Sequence, residues 1–328
     1  MPRISVVIPN WNGERFLRVC LPALAAQTCR DFETIVVDNG SSDGSLRYLE
    51  TLGPQARVIR NPDNLGFAAA ANQGARAADG RFVALLNNDT EPEPDWLGRL
   101  VACIERDDGL FAVGSTLLVF DRPGVLEDAG NSYTALGFAY HRGEGLAEAE
   151  YRQDEDVFTV CAGAALYRKE PLLALGGFSE QFFAYVEDVD AGWRARRTGY
   201  RNRLCAAARV RHRGSATSGA KYNPFKVFLT NRNNVWLLRR NLPAWLLFPA
   251  LPLLGLGFLI KTFFYGLRGR AVLGAHLRGT WEGLRVRPEQ PGLTPGETSW
   301  RRDLAIWWSM VKMTGEWAAW KWRRILGI

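Results

Sequence analysis

Phe82-Val83-Ala84-Leu85-Leu86-Asn87-Asn88-Asp89-Thr90-Glu91-Pro92 is an apolar pentad that empties into two amides and a carboxylate and stops at a proline. Five consecutive apolar residues bounded by turn chemistry read as a strand buried on both faces, as in a parallel sheet. A carboxylate at the C-terminal tip of such a strand stands where α/β folds hold ligands, and it suits a divalent cation beside a diphosphate. Three other segments end the same way. Residues 4–8 run into Pro9-Asn10-Trp11-Asn12-Gly13, residues 34–37 into Asp38-Asn39-Gly40-Ser41-Ser42-Asp43-Gly44, and residues 58–59 into Asn61-Pro62-Asp63-Asn64-Leu65-Gly66.

Helical stretches at 15–27, 45–52, 68–78 and 96–107 separate these strands, which is the βαβ rhythm of a mostly parallel sheet with helices on both faces. That order brings Asp38, Asn64 and Asp89 to one edge. Residues 121–156 are irregular and glycine-punctuated, an excursion with room for a hairpin. Regularity returns with a strand at 158–166, a helix at 170–175, the turn Gly176-Gly177-Phe178, a helix at 187–198 closed by Gly199, and a short strand at 208–210 leading to His212.

The 328 residues allow one large α/β domain plus an appendage. Charge divides the same way. Residues 1–200 carry 19 Lys/Arg against 29 Asp/Glu, a net −10, whereas residues 201–328 carry 22 against 5, a net +17. A boundary near Ser218 therefore separates 1–218, the domain expected to carry the chemistry, from a basic, Trp-rich, mainly helical region at 219–328. Cys20, Cys29, Cys103, Cys161 and Cys205 form no Cys-x-x-Cys pair and are odd in number, which suits isolated buried thiols in a reducing compartment. A strand beginning at Ile4 leaves no room for an export signal, so the expected location is the cytoplasmic face of a membrane.

The membrane expectation comes from the C-terminal region. Residues 242–260 are 19 residues without a charge, flanked by Arg239-Arg240 and Lys261, and nine of the twelve Trp lie at or beyond Trp236. Length permits a span, but Pro243, Pro249, Pro252, Gly255 and Gly257 argue against one straight helix. Trp and clustered Lys/Arg favour the lipid interface, so peripheral or monotopic binding is expected, with a soluble helical cap as the alternative. An uncharged run has no use on a phosphodiester backbone, and nucleic acid is not an expected partner.

A second acidic cluster, Glu187-Asp188-Val189-Asp190, opens the helix at 187–198. Positions 187, 190, 191 and 194 share a helical face while 188 turns aside, so Glu187 and Asp188 have different tasks. The bland reading is that they only complement the helix dipole. Trp11 reads equally as a packed aromatic or a base platform, and His141 and His276 carry no assigned role.

Taken in order, Pro9-Asn10-Trp11-Asn12, Val37 to Asp43, Asn61 to Phe67, Leu86 to Asp89, Gly176-Gly177-Phe178, Phe183 to Asp190 and His212 resemble the inverting family 2 glycosyltransferases of the GT-A fold, within them the bacterial rhamnosyltransferase-like branch. The resemblance covers about residues 3–218. It implies that Pro9, Asn10, Asp38, Asn64, Gly66, Asn87 and Asn88 surround the nucleotide, with Asp38 on the pyrimidine. It further implies that Asp89 and His212 hold Mg2+ or Mn2+ against the diphosphate, that Asp188 is the catalytic base, and that Gly177, Phe178 and Glu187 lie on the acceptor side. Asn87 replaces the first carboxylate of the family's metal motif, Ser179-Glu180 stands where Asp-Glu is common, and Ala191 stands where Leu is common.

The chemistry is consistent with that reading. A sugar nucleotide breaks at its anomeric carbon when charge on the leaving diphosphate is neutralised, and inversion needs one carboxylate on the opposite face to take the acceptor proton. The expected donor is a dTDP-, UDP- or GDP-linked sugar and the expected acceptor a lipid-linked or polysaccharide hydroxyl. Two alternatives are a sugar-phosphate nucleotidylyltransferase, which needs a basic Gly-rich loop where Pro9-Asn10-Trp11-Asn12-Gly13-Glu14 stands, and an inactive membrane scaffold, supported only by Asn87.

Overall fold

The computed structural model describes residues 2–214, 222–289 and 298–326, with side chains as far as Lys321. The boundary expected near Ser218 lies outside the described residues. The first half follows the expected alternation: β1 (Ile4–Asn10), α1 (Glu14–Ala25), β2 (Phe32–Asn39), α2 (Ser45–Thr51), β3 (Arg57–Asn61), α3 (Phe67–Ala77) and β4 (Phe82–Leu86). Strands β3, β2, β1 and β4 lie side by side and parallel. Alternation along β1 covers both faces: Ile4, Val6 and Ile8 join the core under α1, and Val7 joins the core under α3.

Next come β5 (Thr90–Pro92), α4 (Trp96–Ile104), β6 (Leu110–Val119), β7 (Leu126–Asp128), β8 (Asn131–Tyr133), β9 (Ala139–His141), β10 (Glu155–Val157), β11 (Ala164–Arg168), α5 (Lys169–Ala174), α6 (Glu187–Arg197) and β12 (Arg201–His212). The parallel order ends at β4, because β11 inserts antiparallel between β4 and β6, so the whole sheet is mixed. The excursion at 121–156 does contain a hairpin, β8–β9.

Three expectations shift. The strand expected at 158–166 is β11 at 164–168, since residues 161–163 are taken up by the cavity described below: Ala162 N–H serves Asp188 and Gly163 C=O accepts from Asn87 N–H. The short strand at 208–210 is the end of the 12-residue β12, whose ladder on β6 is interrupted by a bulge between Cys205 and Arg209. The thiols are not all isolated or buried. Cys103 and Cys205 come together with Asp154, all within 4.8 Å, and Cys29 and Cys161 are half-buried.

The C-terminal region is helical: α7 (Pro224–Asn241), α8 (Ala244–Gly266), α9 (Arg270–Arg285) and α10 (Trp300–Leu326). Helix α8 corrects the expectation of a break, being one 23-residue helix with Pro249 and Pro252 inside it. Each proline removes one ladder bond, and the remaining bonds carry the helix through. A third core, with Tyr133, Phe158 and Trp193 packed on Trp236, Leu237, Ile306 and Met310, fastens α7 and α10 to the sheet domain.

Candidate active site

The tips of β1 and β4 open into a cavity of about 870 Å³ lined by Pro9, Asn10, Trp11, Asn64, Gly66, Asn87, Asn88 and Asp89 on one side. Glu187, Asp188 and Val189 of α6 line the other side, with His212 from β12 and residues of β7–β9 between. Asp89 and Asp188 therefore face one shared hollow.

His212 stands between two carboxylates: Nε2 is 3.1 Å from Asp89 Oδ1 and Nδ1 is 2.9 Å from Glu127 Oε2. Asn87 Nδ2 lies 3.5 Å from Nε2. Burial would lower the imidazole pKa, but Asp89 and Glu127 outweigh it and raise it to about 10. The negative charge of Asp89 and Glu127 that favours the proton here would equally favour a divalent cation, which would take the place of the Nε2 proton. Asp89 oxygen and imidazole nitrogen are ligands of the right kind, and Glu127 would accept the Nδ1 proton and orient the ring.

Asp188 occupies the first turn of α6. Its Oδ2 accepts from Ala162 N at 3.1 Å and Asn131 Nδ2 at 3.3 Å, and its Oδ1 from Val189 N at 2.7 Å. Burial raises its pKa above the ordinary 3.8, against the pull of those backbone N–H groups. Glu187 is buried beside it with Oε2 unbonded among the described residues, and burial together with Asp188 raises its pKa well above the usual value. Asp190 faces away from the cavity and binds Arg194 at 2.8 Å, Arg240 at 3.1 Å and Asn241 at 2.8 Å. Asp190 and Arg194 share a face as the helical wheel expects, but Glu187 does not join them: it lines the cavity beside Asp188.

The turn that delivers Asp188 is strained. Phe183, Tyr185 and Val186 all have positive φ, at 65°, 73° and 71°, and for a β-branched residue this conformation is an outlier. It is held from α7, where Asn233 Nδ2 donates to the carbonyls of Phe182, Ala184 and Tyr185 at 2.9–3.0 Å. Gly66 (φ +88°) passes under the same turn, and a Cβ there would meet Phe183 O at 2.5 Å.

Three residues expected at the ligand lie elsewhere. Asp38 is fully buried and absent from the cavity wall, with its carboxylate taken by Asn10 Nδ2 at 2.9 Å and by Ser41 Oγ and N at 2.7 and 3.0 Å. Its neighbour Asn39 lines the cavity instead. Gly177 and Phe178, expected on the acceptor side, do not line the cavity. Asn72 grips the Phe178 backbone at 2.7 and 2.8 Å, Phe178 is buried on Tyr167, and a Cβ on Gly177 would lie 2.4 Å from Asn72 Oδ1. Gly177 is needed for that close approach, whereas Gly176 has open space around it and serves the turn through its φ of +87°.

Glu127, Asp128 and Asn131 were not singled out in the sequence and His141 was given no role, yet all four line the cavity. The one signal available was the acidic pair Glu127-Asp128 ending an apolar dipeptide, Val125-Leu126, inside a glycine-rich excursion.

Solved structures share this architecture. A mannosyltransferase from Pyrobaculum calidifontis, in complex with GDP-Man and Mn2+, superposes with a TM-score of 0.54 at 19% identity, covering 87% of this chain and 76% of that one. The fold is therefore GT-A. Residues 5–176 match the family model "Glycosyl transferase family 2", and the chain belongs to that family. It is 30% identical to the O-antigen biosynthesis protein RfbC of Myxococcus xanthus over 68% of this chain and 18% of that protein. It is 26% identical to the N-acetylglucosaminyl-diphospho-decaprenol L-rhamnosyltransferase of Mycobacterium tuberculosis over 72% of this chain and 86% of that protein. The chain spans only 27%, 18% and 37% of the lengths of the first curated relatives it matches.

Proposed function

We propose that the chain is an inverting, metal-assisted glycosyltransferase that moves a sugar, rhamnose being one candidate, from a dTDP-, UDP- or GDP-linked donor to a hydroxyl of a lipid-linked or polysaccharide acceptor. The observation that carries this reading is that Asp89 with His212 and Asp188 line opposite walls of one cavity. Asn10, Asn64 and Asn88 are placed to line the nucleotide, with Pro9 and the Gly66 turn shaping its pocket.

Mg2+ or Mn2+, when bound, supplies the positive charge that stabilises the departing diphosphate. Asp89 and His212 hold it, and Asn87 adds a neutral amide where relatives have a carboxylate. Asp188 takes the proton of the acceptor hydroxyl as that oxygen attacks the anomeric carbon from the face opposite the diphosphate. Its carboxylate is oriented by Ala162 N–H, Val189 N–H and Asn131, and its raised pKa makes it a stronger base than a surface aspartate. Residues 1–218 carry this chemistry, and 219–328 brace the 183–186 turn and bind the membrane.

The membrane reading rests on α8, which is long and apolar enough to cross a bilayer. One side of it is docked: Gly257 packs against Leu136 O and Lys261 Nζ is 3.4 Å from Asn231 Oδ1. The other sides expose Phe248, Leu251, Leu259 and Phe263. A helix attached to the protein along one flank fits a monotopic position, lying in the cytoplasmic lipid interface, better than a span.

The enzymatic reading is tested by incubating the protein with a panel of UDP-, GDP- and dTDP-sugars, with Mn2+, Mg2+ or EDTA. Metal-dependent release of a nucleoside diphosphate from at least one donor is expected. Release of inorganic diphosphate from a nucleoside triphosphate instead would favour a nucleotidylyltransferase.

A further inference from the structure

One short stretch of the cavity wall supports both His212 and Asp188. Glu127 holds His212, Asn131 holds Asp188, and between them lies Asp128, 1% exposed yet lining the same cavity. Among the described residues no hydrogen bond reaches either Asp128 oxygen. His141 Nδ1 stands 3.3 Å from Oδ2 as an ion pair, and its own side chain is 47% exposed at the cavity. With His141 as its one partner, the buried carboxylate keeps acceptor positions that no donor fills, and that is costly. The arrangement therefore holds an acceptor of hydrogen bonds ready for donors that come from a ligand.

Deepening the glycosyltransferase reading on which it rests, we infer that Asp128 and His141 form a sugar-hydroxyl subsite. In it the Asp128 carboxylate accepts from neighbouring hydroxyls of a hexose ring, and His141 fixes that carboxylate from the cavity side. Sugar hydroxyls are donors of the kind the site lacks, and bonds from hydroxyl to carboxylate are charge-assisted and strong. Burial alone would lower the His141 pKa, but Asp128, with Glu127 and Glu144 at longer range, raises it to about 9, so the counter-charge is present at neutral pH. The ring can come from the transferred sugar or from the accepting one.

The test titrates wild type, Asp128→Asn and His141→Gln calorimetrically, in Mn2+, with UDP, GDP and dTDP, and then with the sugar nucleotide of whichever diphosphate binds. Acceptor KM is measured afterwards. In both variants affinity for the free diphosphate should be unchanged, because the subsite lies off the phosphates. If the transferred sugar is the ligand, affinity for the sugar nucleotide falls about ten- to a hundredfold. If the accepting sugar is the ligand, sugar-nucleotide affinity holds and acceptor KM rises by that factor. Unchanged sugar-nucleotide affinity together with unchanged acceptor KM overturns the inference, as does an equal loss for the free diphosphate, which would mean that Asp128 acts only through Glu127 and His212. His141→Gln, at an exposed position, keeps the test open if Asp128→Asn fails to fold. Failure of wild type to bind any of the three diphosphates would overturn the donor reading itself, together with this subsite, before any variant is made.

Discussion

Asn87 lies beside His212, and Glu127 stands on the far side of the same imidazole. In the proposed reading, that negative charge at the back of the histidine would orient the ring toward a cation. How much of the site was legible follows from how local each residue's task is. Asp89 follows the tip of β4, His212 ends β12 and Asp188 opens α6, so each sits at a boundary of a regular element that the sequence marks. Asp38 ends a strand too, but its carboxylate is spent on Asn10 and Ser41, a choice between ligand and turn that sequence leaves open. Gly177 and Phe178 have a motif-like look because Asn72, more than a hundred residues away, needs the backbone at close range. Asp128 and His141 lie in a region without periodicity, where no pattern ties a side chain to a direction.

The parallel strands β1 to β4 were legible because their apolar runs and turn residues are contiguous. The antiparallel insertion of β11 was not, since it depends on a pairing between distant segments that periodicity does not encode. Helix α7 has a role that composition hides. Its Asn233 spends both amide hydrogens on three carbonyls of a turn containing three residues at positive φ, so a helix outside the expected catalytic domain fixes the approach of Asp188. Replacing Asn233 by Leu removes this shared donor from the turn and should cost about 1–3 kcal/mol of stability. It should also lower kcat more than it weakens nucleotide binding. Chemical denaturation and steady-state kinetics check both, and a variant with wild-type kcat would mean that the turn holds its shape without α7.

The molecule joins an acidic sheet domain to a basic helical region through one continuous core of aromatic and aliphatic residues, so binding of the helices to lipid would fix the attitude of the cavity to the membrane. Helices α8 and α9 expose Phe248, Phe263, Trp281 and Leu284 alongside Arg268, Arg270 and Arg278. That mixture suits anionic lipid, each basic residue near the surface contributing about 1 kcal/mol. The full chain should therefore float with vesicles rich in anionic lipid, and the triple change Phe248→Ser, Leu259→Ser, Phe263→Ser should leave it in the soluble fraction. Equal flotation of the two would exclude α8 as the anchor. The central claim, a cation site and a proton acceptor facing each other across one cavity, is tested most directly by Asp188→Asn. Nucleotide-sugar affinity in Mn2+ and the rate of transfer in a single turnover would be measured on the same preparation. Affinity within about twofold of wild type with transfer slowed about 10²- to 10⁴-fold is predicted, whereas transfer at the wild-type rate would contradict it.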